Sequence, residues 1–141
     1  MGELKGQPAE TITVLDMEAS IEHLTRGTLR NVDVLLVVTE PYYRSLETVG
    51  RTVPLAKELG LERVYVVANK VRTPEDTSAI EEYCRRHEYH LVGSVPFDDS
   101  ITEADRKGKA VIDYDPSARS VQAVGEIAKF LISSPVTAGG G

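Results

Sequence analysis

The chain has 141 residues, enough for one domain with a sizeable core. Sixteen Lys and Arg against 22 Asp and Glu leave a net charge of -6, which disfavours a broad nucleic-acid or anionic-membrane surface. The single cysteine, Cys84, excludes an intrachain disulfide and a Cys-x-x-Cys metal site. No apolar run approaches the roughly 20 residues of a membrane span, and the polar start is no signal peptide, so the expected location is cytoplasmic.

Residues 1–10 read as a flexible lead-in, residues 11–132 as the domain, and residues 133–141, ending in three glycines, as a disordered tail. Residues 11–16 are apolar up to Asp16, the pattern of a strand buried on both faces. Residues 21–30 place Ile21, Leu24 and Thr28 at helical spacing, with Gly27 weakening the pattern. Residues 33–39 form a second apolar strand, stopped by Glu40-Pro41. Leu46, Val49, Val53, Ala56 and Leu59 then mark one helical face before Gly60, with a kink expected at Pro54. A third strand covers 63–68 and ends at Asn69-Lys70. Thr73, Pro74 and the acids after them are a helix start, and the helix runs to about His87 with Ile80, Tyr83, Cys84 and His87 on its buried side. Cys84 on that stripe reads as core. A shorter strand at 91–95 closes with Pro96-Phe97-Asp98-Asp99. Residues 100–107 read as one or two helical turns stopped by Gly108, and Pro116 opens a last helix with Val121, Val124, Ala128 and Leu131 on its apolar stripe. Strands alternating with helices at this spacing predict an α/β fold with a mostly parallel sheet of about four strands and right-handed crossovers.

Polar groups collect at the strand ends: Asp16 and Glu18, Asn69 and Lys70, and Pro96 to Asp98. In a parallel sheet these ends share one edge, where open α/β sheets bind their ligands. Asp16 is either a Mg²⁺-organising carboxylate, acting directly or through water, or an N-cap for the next helix. Glu18 either positions an attacking water or sits in a first helical turn, where the dipole favours an acid. His23 reads as a helix residue rather than a metal ligand, since no second ligand follows at i+3 or i+4. Guanine selectivity would want Asn-Lys-x-Asp, but Arg72 holds the acid's place and offers donors only. The Asn69 amide can still pair with adenine N6 and N7. Asn69 and Lys70 alternatively do no more than end a strand. Lys70 can lay its stem across a base or extend to solvent. No phosphate cradle accompanies these groups: Gly108-Lys109 is followed by Ala110 and lacks a glycine five residues earlier.

With residues 14–28, Val37-Val-Thr-Glu-Pro41, Ala68-Asn-Lys-Val-Arg72 and Val95-Pro-Phe-Asp98 in this order, the chain resembles the C-terminal part of the MinD/ParA superfamily of deviant P-loop ATPases. It is most similar to the CooC-type accessory ATPases that help insert nickel into carbon monoxide dehydrogenase. The resemblance spans residues 12–131 and implies a partial P-loop NTPase fold of the SIMIBI type. It implies that Asp16 organises Mg²⁺ through water, that Asp16 and Glu18 belong to the switch segment, and that Asn69, Lys70 and the Pro96-Phe97-Asp98 loop hold adenine. The family's phosphate loop and the Cys-x-Cys pair that binds metal between subunits have no counterpart in these residues, so nickel ligands are absent. Ser20 also stands where the switch normally carries glycine.

Three functions follow as expectations. The first is the adenine and switch side of an ATP- and Mg-binding protein, inactive as an ATPase alone. It would be completed by a phosphate-loop polypeptide or by self-association, and would serve a carbon monoxide dehydrogenase-type client. In the family fold the phosphate-loop strand lies between the strands matching 12–16 and 33–39. Without it, the gap is expected to close by direct pairing of those strands or to be filled by another chain. The second is a non-catalytic interaction remnant that binds its partner through residues 21–30. The third, a phospho-receiver-like domain using Asp16, Thr39 and Lys70, lacks a pair of acids on an earlier strand.

Overall fold

The computed structural model describes residues 12–15 and 24–133. The element order is α1 (Arg26–Leu29), β1 (Leu35–Thr39), α2 (Tyr43–Glu58), β2 (Val64–Val71), α3 (Pro74–His87), β3 (His90–Pro96), α4 (Asp99–Arg106), α5 (Val111–Tyr114) and α6 (Arg119–Ser133). The three strands form one parallel sheet in the order β1-β2-β3.

The apolar stripes build two layers of core around this sheet. Val49, Val53 and Ala56 of α2 and Ile80 and Cys84 of α3 pack on Val37, Val64, Val66 and Ala68. On the opposite face Val67 and Val95 meet Ile127 of α6. Cys84 is 2% exposed, and burial pushes its thiol pKa up. The capping box of α3 forms as its sequence predicts: the Thr73 side chain accepts from the Asp76 N–H while the Asp76 carboxylate accepts from the Thr73 N–H. α2 runs through Pro54 without interruption. Gly60 and Gly108 follow their helices at φ +105 and +68, left-handed values that suit glycine at a helix stop.

Several expectations are corrected. The buried strand expected at 11–16 is absent over its described part: residues 12–15 have no strand structure and are exposed. No described strand flanks β1 on its outer side, so the expected direct pairing of this run with β1 does not occur among the described residues. A run with no neighbouring strand has no ladder to join, whatever its apolar content. α1 is one turn, capped by Thr25 and Thr28, and residues 21–23 of the helical segment expected over 21–30 lie outside the described residues. β2 continues three residues past Ala68 because a bulge lets Val71 pair with Pro96. His87 is exposed, its ring packed 4.2 Å from that of Tyr83 and 5.4 Å from that of Tyr89. In α6 the buried residues are Ser120 and Ile127, with Ala123 and Leu131 half-buried, while Val124 and Ala128 are exposed. The cause is the seat of Ile127 on Gly93, where an added Cβ would stand 2.6 Å from Ile127 Cγ1. That close approach turns the helix about the 120, 123, 127 and 131 face.

Candidate functional site

Parallel pairing brings the ends of β1, β2 and β3 to one edge, and each end is fixed by identifiable bonds. At β1 the Thr39 hydroxyl, 1% exposed, lies 2.9 Å from Ser45 Oγ. Ser45 Oγ also accepts from the Glu40 N–H at 2.9 Å. These contacts tie the strand end to the first turn of α2, and they engage the hydroxyl that a phospho-receiver would need free. The Glu40 carboxylate then meets Lys70 Nζ at 3.4 Å. Both side chains are about half exposed, so the pair orients the two strand ends and adds at most about 1 kcal/mol.

The end of β2 is bulged. Ala68 pairs with Ser94 and Val71 with Pro96, so β2 uses one residue more than β3 between them. Lys70 takes up the excess at φ +56, a left-handed conformation that costs a non-glycine residue about 1 kcal/mol or more. A bulge re-aims the side chains around it. Asn69, half-buried beside the bulge, makes no side-chain hydrogen bond to another described residue.

The end of β3 extends the ladder by one bond, from the Phe97 N–H to the Val71 carbonyl at 2.9 Å. The Arg72 guanidinium lies 3.8 Å from the centroid of the Phe97 ring, so cation and ring cover one another. The Asp98 carboxylate binds two helix starts at once. Oδ1 accepts from the Ser100 N–H of α4 at 2.9 Å, and Oδ2 from the Ser120 N–H of α6 at 3.0 Å. These bonds, that to Ser120 foremost, lower its pKa from 3.8 to about 2. With both oxygens engaged, the 96–98 loop has its backbone to offer a base, rather than the Asp98 side chain.

The structure therefore brings Asn69, Lys70, Pro96, Phe97 and Asp98 to one edge. Asp16 and Glu18, with Ser20 and His23, lie outside the described residues. Among the described residues, no group of three or more His, Cys, Asp or Glu could hold a metal ion. Sequence reasoning missed the contacts of Glu40 and Ser120. Glu40 carried a usable signal, a charged residue at a strand end. Ser120 carried none, because its role depends on where α6 lands.

No family model matches the chain. It is 42% identical over 106 residues to the carbon monoxide dehydrogenase accessory protein CooC of Rhodospirillum rubrum, covering 75% of this chain and 40% of that protein. To an uncharacterised ATP-binding protein of Methanocaldococcus jannaschii it is 38% identical over 122 residues, covering 85% of this chain and 48% of that protein. Among solved structures, MinD of Pyrococcus horikoshii, complexed with Mg-ADP, superimposes with a TM-score of 0.63 at 20% identity, covering 74% of this chain and 43% of that one. No helix among the described residues is long and apolar enough to cross a membrane. The chain spans less than half the length of these proteins, and it is related to CooC and to the MinD/ParA ATP-binding proteins, whose α/β fold it shares.

Proposed function

We propose that these residues form the adenine and switch side of an ATP-binding site that does not hydrolyse ATP by itself. The carrying observation is the Asn69 amide, free of side-chain bonds to other described residues, beside a bulge at the carboxyl edge of a parallel sheet. An amide in that position suits the N6 donor and N7 acceptor of adenine. Lys70 and the backbone of Pro96 to Asp98 lie on the same edge, where the Arg72 guanidinium covers the Phe97 ring. Mg²⁺, when bound with the nucleotide, would neutralise phosphate charge; Asp16 is the residue assigned to it through water, and Glu18 the one assigned to the attacking water. Phosphate binding requires backbone donors from a phosphate loop, which these residues do not contain.

The proposed role is in maturation of a nickel enzyme of the carbon monoxide dehydrogenase type, together with a partner. It rests on the relative of 42% identity, itself a carbon monoxide dehydrogenase accessory protein. Co-expression with a polypeptide carrying a phosphate loop should restore Mg²⁺-dependent ATP hydrolysis. Asn69→Ala should weaken ATP binding to that complex about tenfold, near 1.4 kcal/mol. A verified complex that stays inactive would contradict the reading.

A further inference from the structure

Both faces of β3 are covered, and its outer edge is not. α3 packs over β2 and β3 on one face, and α6 seats Ile127 on Gly93 on the other. Beyond the edge no strand is described, and no backbone bond of residues 91–96 runs to that side among the described residues. A groove of about 410 Å³ opens there, between α3 and the strand. The segment from Leu91 to Ser94 forms one wall, and Glu81 and Arg85 of α3 stand on the other, with the buried Cys84 between them. Glu81 and Arg85 are one helical turn apart, and both are exposed. Glu81 has no ion-pair partner among the described residues. Arg85 reaches only Glu82 of its own helix, at 3.9 Å with both side chains largely exposed, a pair that holds it weakly.

We propose that this edge joins a second copy of the chain, the two β3 strands pairing antiparallel about a two-fold axis normal to the sheet. Three features select a second copy over an unrelated strand. The first is charge. A two-fold axis through the groove brings Glu81 of each copy to Arg85 of the other, because the two α3 helices then run in opposite directions. The second is spacing. Paired strands stand about 4.8 Å apart, and α3 lies over β2 and β3, so the two α3 helices come side by side at about 10 Å, an ordinary helix-packing distance. An extended peptide would add a strand and leave the charged wall of α3 uncovered. The third is the shape of the edge. Val92 is an extra residue between the pairs Val66–Leu91 and Val67–Gly93, and a bulge of this kind blunts an edge toward long ladders. A lone strand would therefore gain few bonds there, whereas a copy that brings α3 with its strand adds a helix contact. The interface uses the side of β3 and not the carboxyl edge of the sheet, so it stands apart from the proposed function.

The test is sedimentation velocity of the 141-residue chain, which should show a reversible monomer–dimer equilibrium over about 1–200 μM. Hydrogen exchange across the same range should show the amides of residues 91–94 slowing as the dimer forms. Glu81→Arg and Arg85→Glu, at exposed positions, should each weaken the dimer about tenfold or more, because each sets like charges across the axis. The far-UV circular dichroism spectrum should stay unchanged in both. Combining Glu81→Arg with Arg85→Glu restores opposite charges, and the affinity should return to within about threefold of the parent chain. That rescue is specific to the antiparallel arrangement. A chain that stays monomeric over the whole range overturns the proposal. So does a dimer that is indifferent to the single substitutions, one that the double variant does not rescue, or one whose protection falls on residues 36–38 of β1 instead.

Discussion

Asp98 shows how much one side chain can hold. Its carboxylate satisfies helix-start donors on both α4 and α6. Asp98→Ala should therefore destabilise the fold by about 1–2 kcal/mol, measured by urea denaturation at pH 7. The pH dependence follows from the lowered pKa. The folded state holds the carboxylate ionised down to about 2, against an ordinary 3.8, so its stabilising contribution is complete above pH 4. It is lost as pH falls from about 4 to 2, and Asp98→Asn should flatten the acid unfolding curve in that window. Lys70 makes the opposite case, since it sits in a conformation glycine prefers. Lys70→Gly should leave stability unchanged or raise it by up to about 1 kcal/mol, because relief at φ +56 outweighs an exposed ion pair. A loss above 1 kcal/mol would mean that the Glu40 contact matters far more than its exposure allows.

Among the elements, the contact of α6 with β3 carries the sharpest prediction. Gly93→Ala places a methyl group against Ile127, and overpacking of this kind costs about 1–3 kcal/mol. Thermal melting of this variant beside Ile127→Val would show whether the two positions couple, as contacting residues do. This contact also explains what was legible in the sequence and what was not. α2 and α3 follow from periodicity, the Gly60 stop and the Thr73 capping box, all of which are local signals. α6 was legible as a helix, but its buried face was misjudged at Val124 and Ala128, because a glycine on another strand selects that face. The β2 bulge was equally hidden, since nothing near Lys70 in sequence announces a positive φ. The run at 12–15 has the composition of a strand, yet a strand needs a neighbour, and composition does not say where the neighbour is.

At the scale of the whole molecule, the described sheet has two edge strands, β1 and β3, and no described strand lies beyond either. Its carboxyl edge carries the polar strand ends, Asn69 among them, and that shared edge was legible because parallel strands end on the same side of the sheet. A gap was expected beside β1, and the structure leaves β1 unpaired on its outer side among the described residues. An adenine side without phosphate contacts should bind nucleotide weakly, since those contacts and their backbone donors supply most of the affinity. The most direct measurement is calorimetric titration of Mg-ATP into the purified 141-residue chain. No detectable binding at micromolar concentrations is the predicted result. Binding tighter than about 10 μM, near -7 kcal/mol, would contradict the account, because phosphate contacts would then come from within these residues.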